Sequence, residues 1–151
     1  MEIMDKVLRV YWGCALTHAP AEYREMMNRI IQFIKNYHPQ VQLLEFLGTT
    51  AGSAQDVYIQ DIEKNVASCG LFLNDVSQVS LGLGFEIGAA LLRYNKHVVS
   101  FVQKDVHLTR LLTGATFCHE NYSVIEYTDE KELLQFIGNV LYEKVQELNA
   151  G

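Results

Sequence analysis

Several things are scarce in this 151-residue sequence, and each scarcity removes a class of protein. With only two prolines it has no proline-rich linker, and no repeat or low-complexity segment interrupts it. Three cysteines, Cys14, Cys69 and Cys118, stand far apart without a CxxC pair, which argues against a disulfide framework or a thiolate zinc site. The five histidines (His18, His38, His97, His107, His119) fall at no metal-ligand spacing, so neither a metal nor another cofactor is expected. No apolar run approaches the ~20 residues of a membrane helix. The start, MEIMDKVLRV, has no cationic leader followed by a long apolar core, and the expected location is the cytoplasm. Positive charge is sparse: Lys plus Arg total 12 against 18 Asp plus Glu, a formal charge of −6. That field repels polyanions, and no basic stripe offsets it, so a nucleic acid polymer is not an expected partner. A small nucleotide stays open, because local backbone amides bind phosphate whatever the net charge.

What is present is an ordinary folded composition, 49% apolar and 20% charged, at the usual size of one domain. Residues 1–151 are therefore expected to form a single domain. Short apolar runs alternate with segments of helical periodicity. The strands are expected at Val7–Trp12, Val41–Phe46, Gly70–Asp75, His97–Val102 and Tyr122–Tyr127. Helices are expected at Ala21–Tyr37, Asp56–Ser68, behind the glycines of SLGLG to about Tyr94, at Val106–Leu112 and at Asp129–Leu148. This alternation predicts an α/β fold: a five-stranded parallel, doubly wound sheet, flavodoxin-like or Rossmann-like, in the order 2-1-3-4-5. Ligands of such sheets bind beyond the carboxyl ends of the strands near the switch in order. The residues expected there are 13–18, 75–84 and 103–109.

Within that zone SLGLGFEIGAALL, Ser80 to Leu92, carries the most chemistry. Gly82 and Gly84 allow close backbone approach, and the helix start behind them offers free N–H groups to an anion. The pattern lacks the x-x-G continuation of a dinucleotide fingerprint, and no GxxxxGK[ST] occurs anywhere. Glu86 is expected in the first helical turn, where amides and dipole favour its ionised form. A surface glutamate complementing the dipole would look the same, but the apolar residues from Ile87 to Leu92 make the helix largely buried and aim Glu86 at the crevice. Asp61, in VYIQDIEKNV, borders the apolar side formed by Tyr58, Ile59, Ile62 and Val66. Tyr11 closes the first strand, and a core tyrosine with a bonded hydroxyl is its plainer reading.

SLGLGFEIGAAL preceded by LFLNDVSQV resembles the nucleoside 2-deoxyribosyltransferase family, whose members cleave N-glycosidic bonds. The resemblance extends over Val10-Tyr11, the Asp61 helix and the terminal helix. It implies Glu86 as the nucleophile at the anomeric carbon, Asp61 as the group assisting proton transfer to the leaving base, and Tyr11 as the hydroxyl that orients the nucleophile. An ionised carboxylate can stabilise and trap the oxocarbenium character that develops as the base departs, and a second acid eases its departure.

The position of Ser80 is typically aspartate in the transferases that use free nucleosides, where it contacts the 5′-hydroxyl. Serine removes a charge that would repel a phosphate and can donate a hydrogen bond to one. The resemblance is therefore nearest to the 2′-deoxynucleoside 5′-phosphate N-hydrolase branch. It implies Thr109 as a hydroxyl reaching a neighbouring subunit's phosphate, and hence a homodimer or higher homo-oligomer. The chain departs from the pattern at Cys14, where both branches usually carry glycine, with Gly13 before it. An arginine-bearing loop of the hydrolases is replaced by Ala15-Leu16-Thr17-His18, and Phe46 with LGTTAGSAQ offers few base-reading groups. Three functions are thus in view: a hydrolase of (deoxy)nucleoside 5′-monophosphates acting through a covalent glycosyl-Glu86 intermediate, a deoxyribosyltransferase exchanging bases on free deoxynucleosides, and a nucleotide-sensing module without turnover.

Overall fold

The computed structural model describes residues 6–47 and 52–151; residues 48–51 of the LGTTAGSAQ segment and the first five residues of MEIMDKVLRV lie outside that range. The short β-branched and aromatic runs form five strands: β1 (Leu8–Gly13), β2 (Val41–Leu44), β3 (Leu71–Asp75), β4 (Val98–Gln103) and β5 (Tyr122–Tyr127). All pair in parallel in the order β2-β1-β3-β4-β5, so the expected doubly wound α/β sheet is the observed one. The order reverses between β1 and β3, where Tyr11 lies opposite Phe72 and Gly13 opposite Asn74.

Successive strand residues point to opposite faces, and each face has its own core. Val10, Trp12, Leu71 and Leu73 pack beneath α1 (Ala21–Lys35) and α5 (Glu130–Ala150), whose Ile30, Ile34, Leu133 and Ile137 are fully buried. Tyr11 and Phe72 face the other layer, against Ile62, Val66, Leu83 and Ile87. That layer contains α2 (Ala54–Tyr58), which runs on as a π-helix over Ile59–Val66, then α3 (Leu81–Leu92) and α4 (Arg110–Cys118). Each fully buried aliphatic or aromatic side chain contributes roughly 2 kcal/mol, so the two cores supply the main drive to fold.

Three local expectations are corrected. The fourth helix begins at Arg110 and ends at Cys118, with Thr109 capping Leu111 N–H, instead of spanning Val106–Leu112. A left-handed Asp105 (φ 69°) turns the chain first and delays the helix. The third helix begins at Leu81, capped by the Ser80 side chain, so Gly82 and Gly84 lie inside its first turn and Glu86 lies beyond that turn. These two glycines take helical backbone angles and meet no unusual dihedral demand; Gly52 is the glycine with positive φ among the described residues. Strand ends move by one or two residues, as at β2, which stops at Leu44.

Candidate active site

A cavity of about 500 Å³ opens at the carboxyl ends of β1 and β3, at the switch in strand order. Its walls come from the segments after β1, β2 and β3, including Phe46 and Leu47, and from α2 with its continuation and α3. The segment after β4 (104–109), expected at this crevice, does not line it. Tyr11, Asp61 and Glu86, more than 20 residues apart in sequence, share this one cavity with Gly13, Cys14, Ser80 and Gly82. Gly84 and Thr109 lie outside its lining. Thr109 is exposed at the start of α4, and a side chain at Gly84 would meet open space.

Each chemical group is aimed by its element. Tyr11 is on the β1 face toward α3, its ring stacked 5.1 Å from Phe72. Gly13 lets α3 approach: a Cβ there would sit 2.9 Å from Leu83 Cδ1 and 3.0 Å from the Phe72 ring. Buried Leu83 and Ile87 seat α3 on the sheet, and Glu86 projects beside them into the cavity. Asp61 sits in the π-helical stretch, whose wider turn is often found at functional sites. Asp61 is buried, and its Oδ1 accepts Leu47 N–H at 2.9 Å, which leaves Oδ2 for other chemistry. Asn65, one turn on, donates to Glu45 O at 2.8 Å and fixes the same stretch to the end of β2.

The electrostatics follow from burial. Burial pushes Glu86 up to about 7; the Tyr11 hydroxyl pulls it back and the neighbouring Asp61 charge raises it further. Burial also raises Asp61, against the Leu47 amide. Tyr11 is driven far above the ordinary phenol value by burial and by Glu86, so it remains a hydroxyl donor. Among the described residues, Tyr11 Oη and Glu86 Oε2 are nevertheless both buried without a partner at full hydrogen-bond geometry. The Cys14 thiol is pushed up to about 12 by burial, so it lines the cavity as a neutral group and not as a nucleophile.

At the far wall, Ser80 Oγ accepts Leu83 N–H at 3.2 Å and Ser80 O accepts Gly84 N–H at 3.1 Å. The Leu81 and Gly82 amides remain free at the helix start, and the Ser80 hydroxyl proton is free to donate. Among the described residues the lining contains Asp61, Glu86 and His18 but neither lysine nor arginine. No group of three His, Cys, Asp or Glu side chains is placed to hold a metal ion among those residues. Leu47, Val57 and Val79 complete the walls; nothing in their apolar character singles them out in the sequence.

No family model and no curated protein matches this sequence. The fold is shared with 35 solved chains. One is the CMP N-glycosidase BcmB of Clostridium botulinum, with a TM-score of 0.65 at 22% identity over 85% of this chain and 97% of that one. At this identity the likeness establishes a common fold.

Proposed function

We propose that this chain is an N-glycosidase that hydrolyses the bond between base and sugar in (deoxy)nucleoside 5′-monophosphates, with Glu86 as the covalent nucleophile. The observation that carries the reading is Glu86 itself: a buried carboxyl raised to about 7, next to the Tyr11 hydroxyl and Asp61, on the wall of one cavity. The shared fold of a CMP N-glycosidase supports it.

Glu86 in its ionised form bonds to C1′ as the C1′–N bond breaks, and the electron pair leaves with the base. Asp61, whose proton burial helps retain, supplies that proton to the base. The Tyr11 hydroxyl steadies the carboxylate before attack and the ester carbonyl after it. Water then attacks C1′, releases Glu86 and passes its proton to Asp61. Two inversions leave the sugar configuration retained. The free amides of Leu81 and Gly82, with Ser80, are the donors for the 5′-phosphate.

One observation favours a second reading. Among the described residues the cavity lining holds two carboxylates and no lysine or arginine, a setting better suited to an uncharged 5′-hydroxyl. A deoxyribosyltransferase on free deoxynucleosides would fit that charge balance.

We infer that the chain works as a homodimer or higher homo-oligomer, a reading that exposed apolar surface supports. Val79 and Leu81 at the cavity, Phe85 on α3, and Leu111 and Phe117 on α4, the helix that Thr109 caps, are large exposed side chains. A second copy of this chain seated there would cover them and bring Thr109 toward the neighbouring cavity. We place the action in the cytoplasm, where three unpaired cysteines are at home, and in one domain over 1–151.

A panel of nucleosides and their 5′-monophosphates, with base release read by chromatography, tests the reading. Release from monophosphates without an acceptor base supports the hydrolase. A new nucleoside formed only when an acceptor base is supplied supports the transferase, and tight binding without release in either format sinks both.

A further inference from the structure

Behind the cavity, on the opposite face of β3, lies a third buried carboxylate, one that the proposed chemistry does not use. Asp75 closes β3 and is fully buried. Its Oδ1 accepts Tyr23 Oη–H from α1 at 2.8 Å and Ser77 N–H at 3.0 Å, and its Oδ2 accepts Tyr127 Oη–H from β5 at 2.6 Å. Ser77 Oγ accepts Gln103 N–H from β4 at 2.8 Å and lies 3.3 Å from Tyr127 Oη. With the Tyr127 proton committed to Asp75, the Ser77 hydroxyl donates to Tyr127, and every donor in the cluster has an acceptor. Val76 N–H adds a bond to Phe101 O at 2.9 Å.

The cluster thus ties α1, β4 and β5 to one point, Ser77. From Ser77 only Gln78 and Val79 intervene before Ser80, the cap of α3 and a wall of the cavity. Val79 itself is almost fully exposed and Gln78 is half-buried, so Ser77 is the one buried residue between Val76 and Ser80. We propose that Asp75 is a positioning residue for the 5′ end of the substrate: by clamping Ser77 it sets where Ser80 and the free amides of Leu81 and Gly82 stand. This rests on the reading of that wall as the 5′-phosphate site.

The test uses the full chain, with Asp75→Asn, which is nearly isosteric, and Ser77→Ala. Hydrogen exchange read by mass spectrometry should show amides over 76–83 exchanging ~10-fold faster or more in both variants, with β4 unchanged from Val98 to Val102; the Gln103 amide loses its acceptor in Ser77→Ala and is left out of the comparison. The KM for cytidine 5′-monophosphate should rise ~10-fold with kcat within ~2-fold, while turnover of cytidine keeps its wild-type value. Unchanged exchange overturns the proposal, as does an equal loss on nucleotide and nucleoside, the mark of a merely structural role. If wild type releases base from neither compound, the glycosidase reading has failed. The Kd values for cytidine 5′-monophosphate and cytidine, by calorimetry, then replace KM: selective weakening for the nucleotide supports the clamp, and equal values across the three proteins overturn it.

Discussion

Two carboxylates flank the end of β3, one in each layer, and burial raises both. Asp75 is met by two tyrosine hydroxyls and the Ser77 amide, donors that oppose the rise. Among the described residues Glu86 has the imperfect approach of Tyr11, and its Oε2 has no partner. A saturated network holds a shape, whereas an unpaired buried acceptor is a cost a fold retains where it has a use. Burial alone therefore does not mark a reactive acid. The number and geometry of donors separates the clamp from the nucleophile.

Substitution should break this contrast in different ways on the two sides. Glu86→Gln keeps shape and loses charge, and base release should fall ~10⁴-fold in kcat while the fold survives; steady-state chromatography reads this. Asp75→Ala should act mainly on stability. It strands two buried hydroxyls and an amide, a loss on the order of 4 kcal/mol in a denaturant titration.

The raised Glu86 also predicts the pH dependence of stability. In the unfolded chain this carboxyl ionises near 4.5, and in the folded chain near about 7. Its favourable contribution is full below 4.5 and is lost as pH rises through about 7. Glu86→Gln should accordingly gain on wild type by roughly 3 kcal/mol between pH 4 and pH 8, seen as diverging denaturation midpoints. An equal difference at both pH values would show that Glu86 is not desolvated.

A smaller effect sharpens the same point. Wild-type kcat/KM should climb as pH passes through about 7, where free Glu86 ionises. Tyr11→Phe removes the hydroxyl that pulls Glu86 down. The rising limb of its pH profile should move to higher pH, and a limb displaced by about one pH unit leaves about 10-fold less kcat/KM at pH 6.

Sheet order and strand positions are legible in the sequence because alternating short apolar runs and amphipathic helices admit few parallel arrangements. Tyr11, Asp61 and Glu86 stand out there too, and the fold brings them to one cavity. The start of α3 is harder to read because two glycines suggest a loop; Ser80, a strong N-cap residue, is the signal for a start at Leu81. Asp75 looks like any strand-end aspartate. Tyr23 and Tyr127 stand 52 residues to either side of it, and no local pattern links positions that distant. The same holds for Phe46 and Leu47, whose place on the cavity wall depends on β2 lying beside β1.

The central claim is that Glu86 forms a bond to the sugar. The direct measurement is acid quenching of wild type during turnover of a nucleoside 5′-monophosphate, followed by intact and peptide mass spectrometry. The account predicts a sugar-phosphate adduct on the peptide containing Glu86, absent in Glu86→Gln. Base release at full rate with no adduct on Glu86, or an adduct that persists in Glu86→Gln, would contradict it.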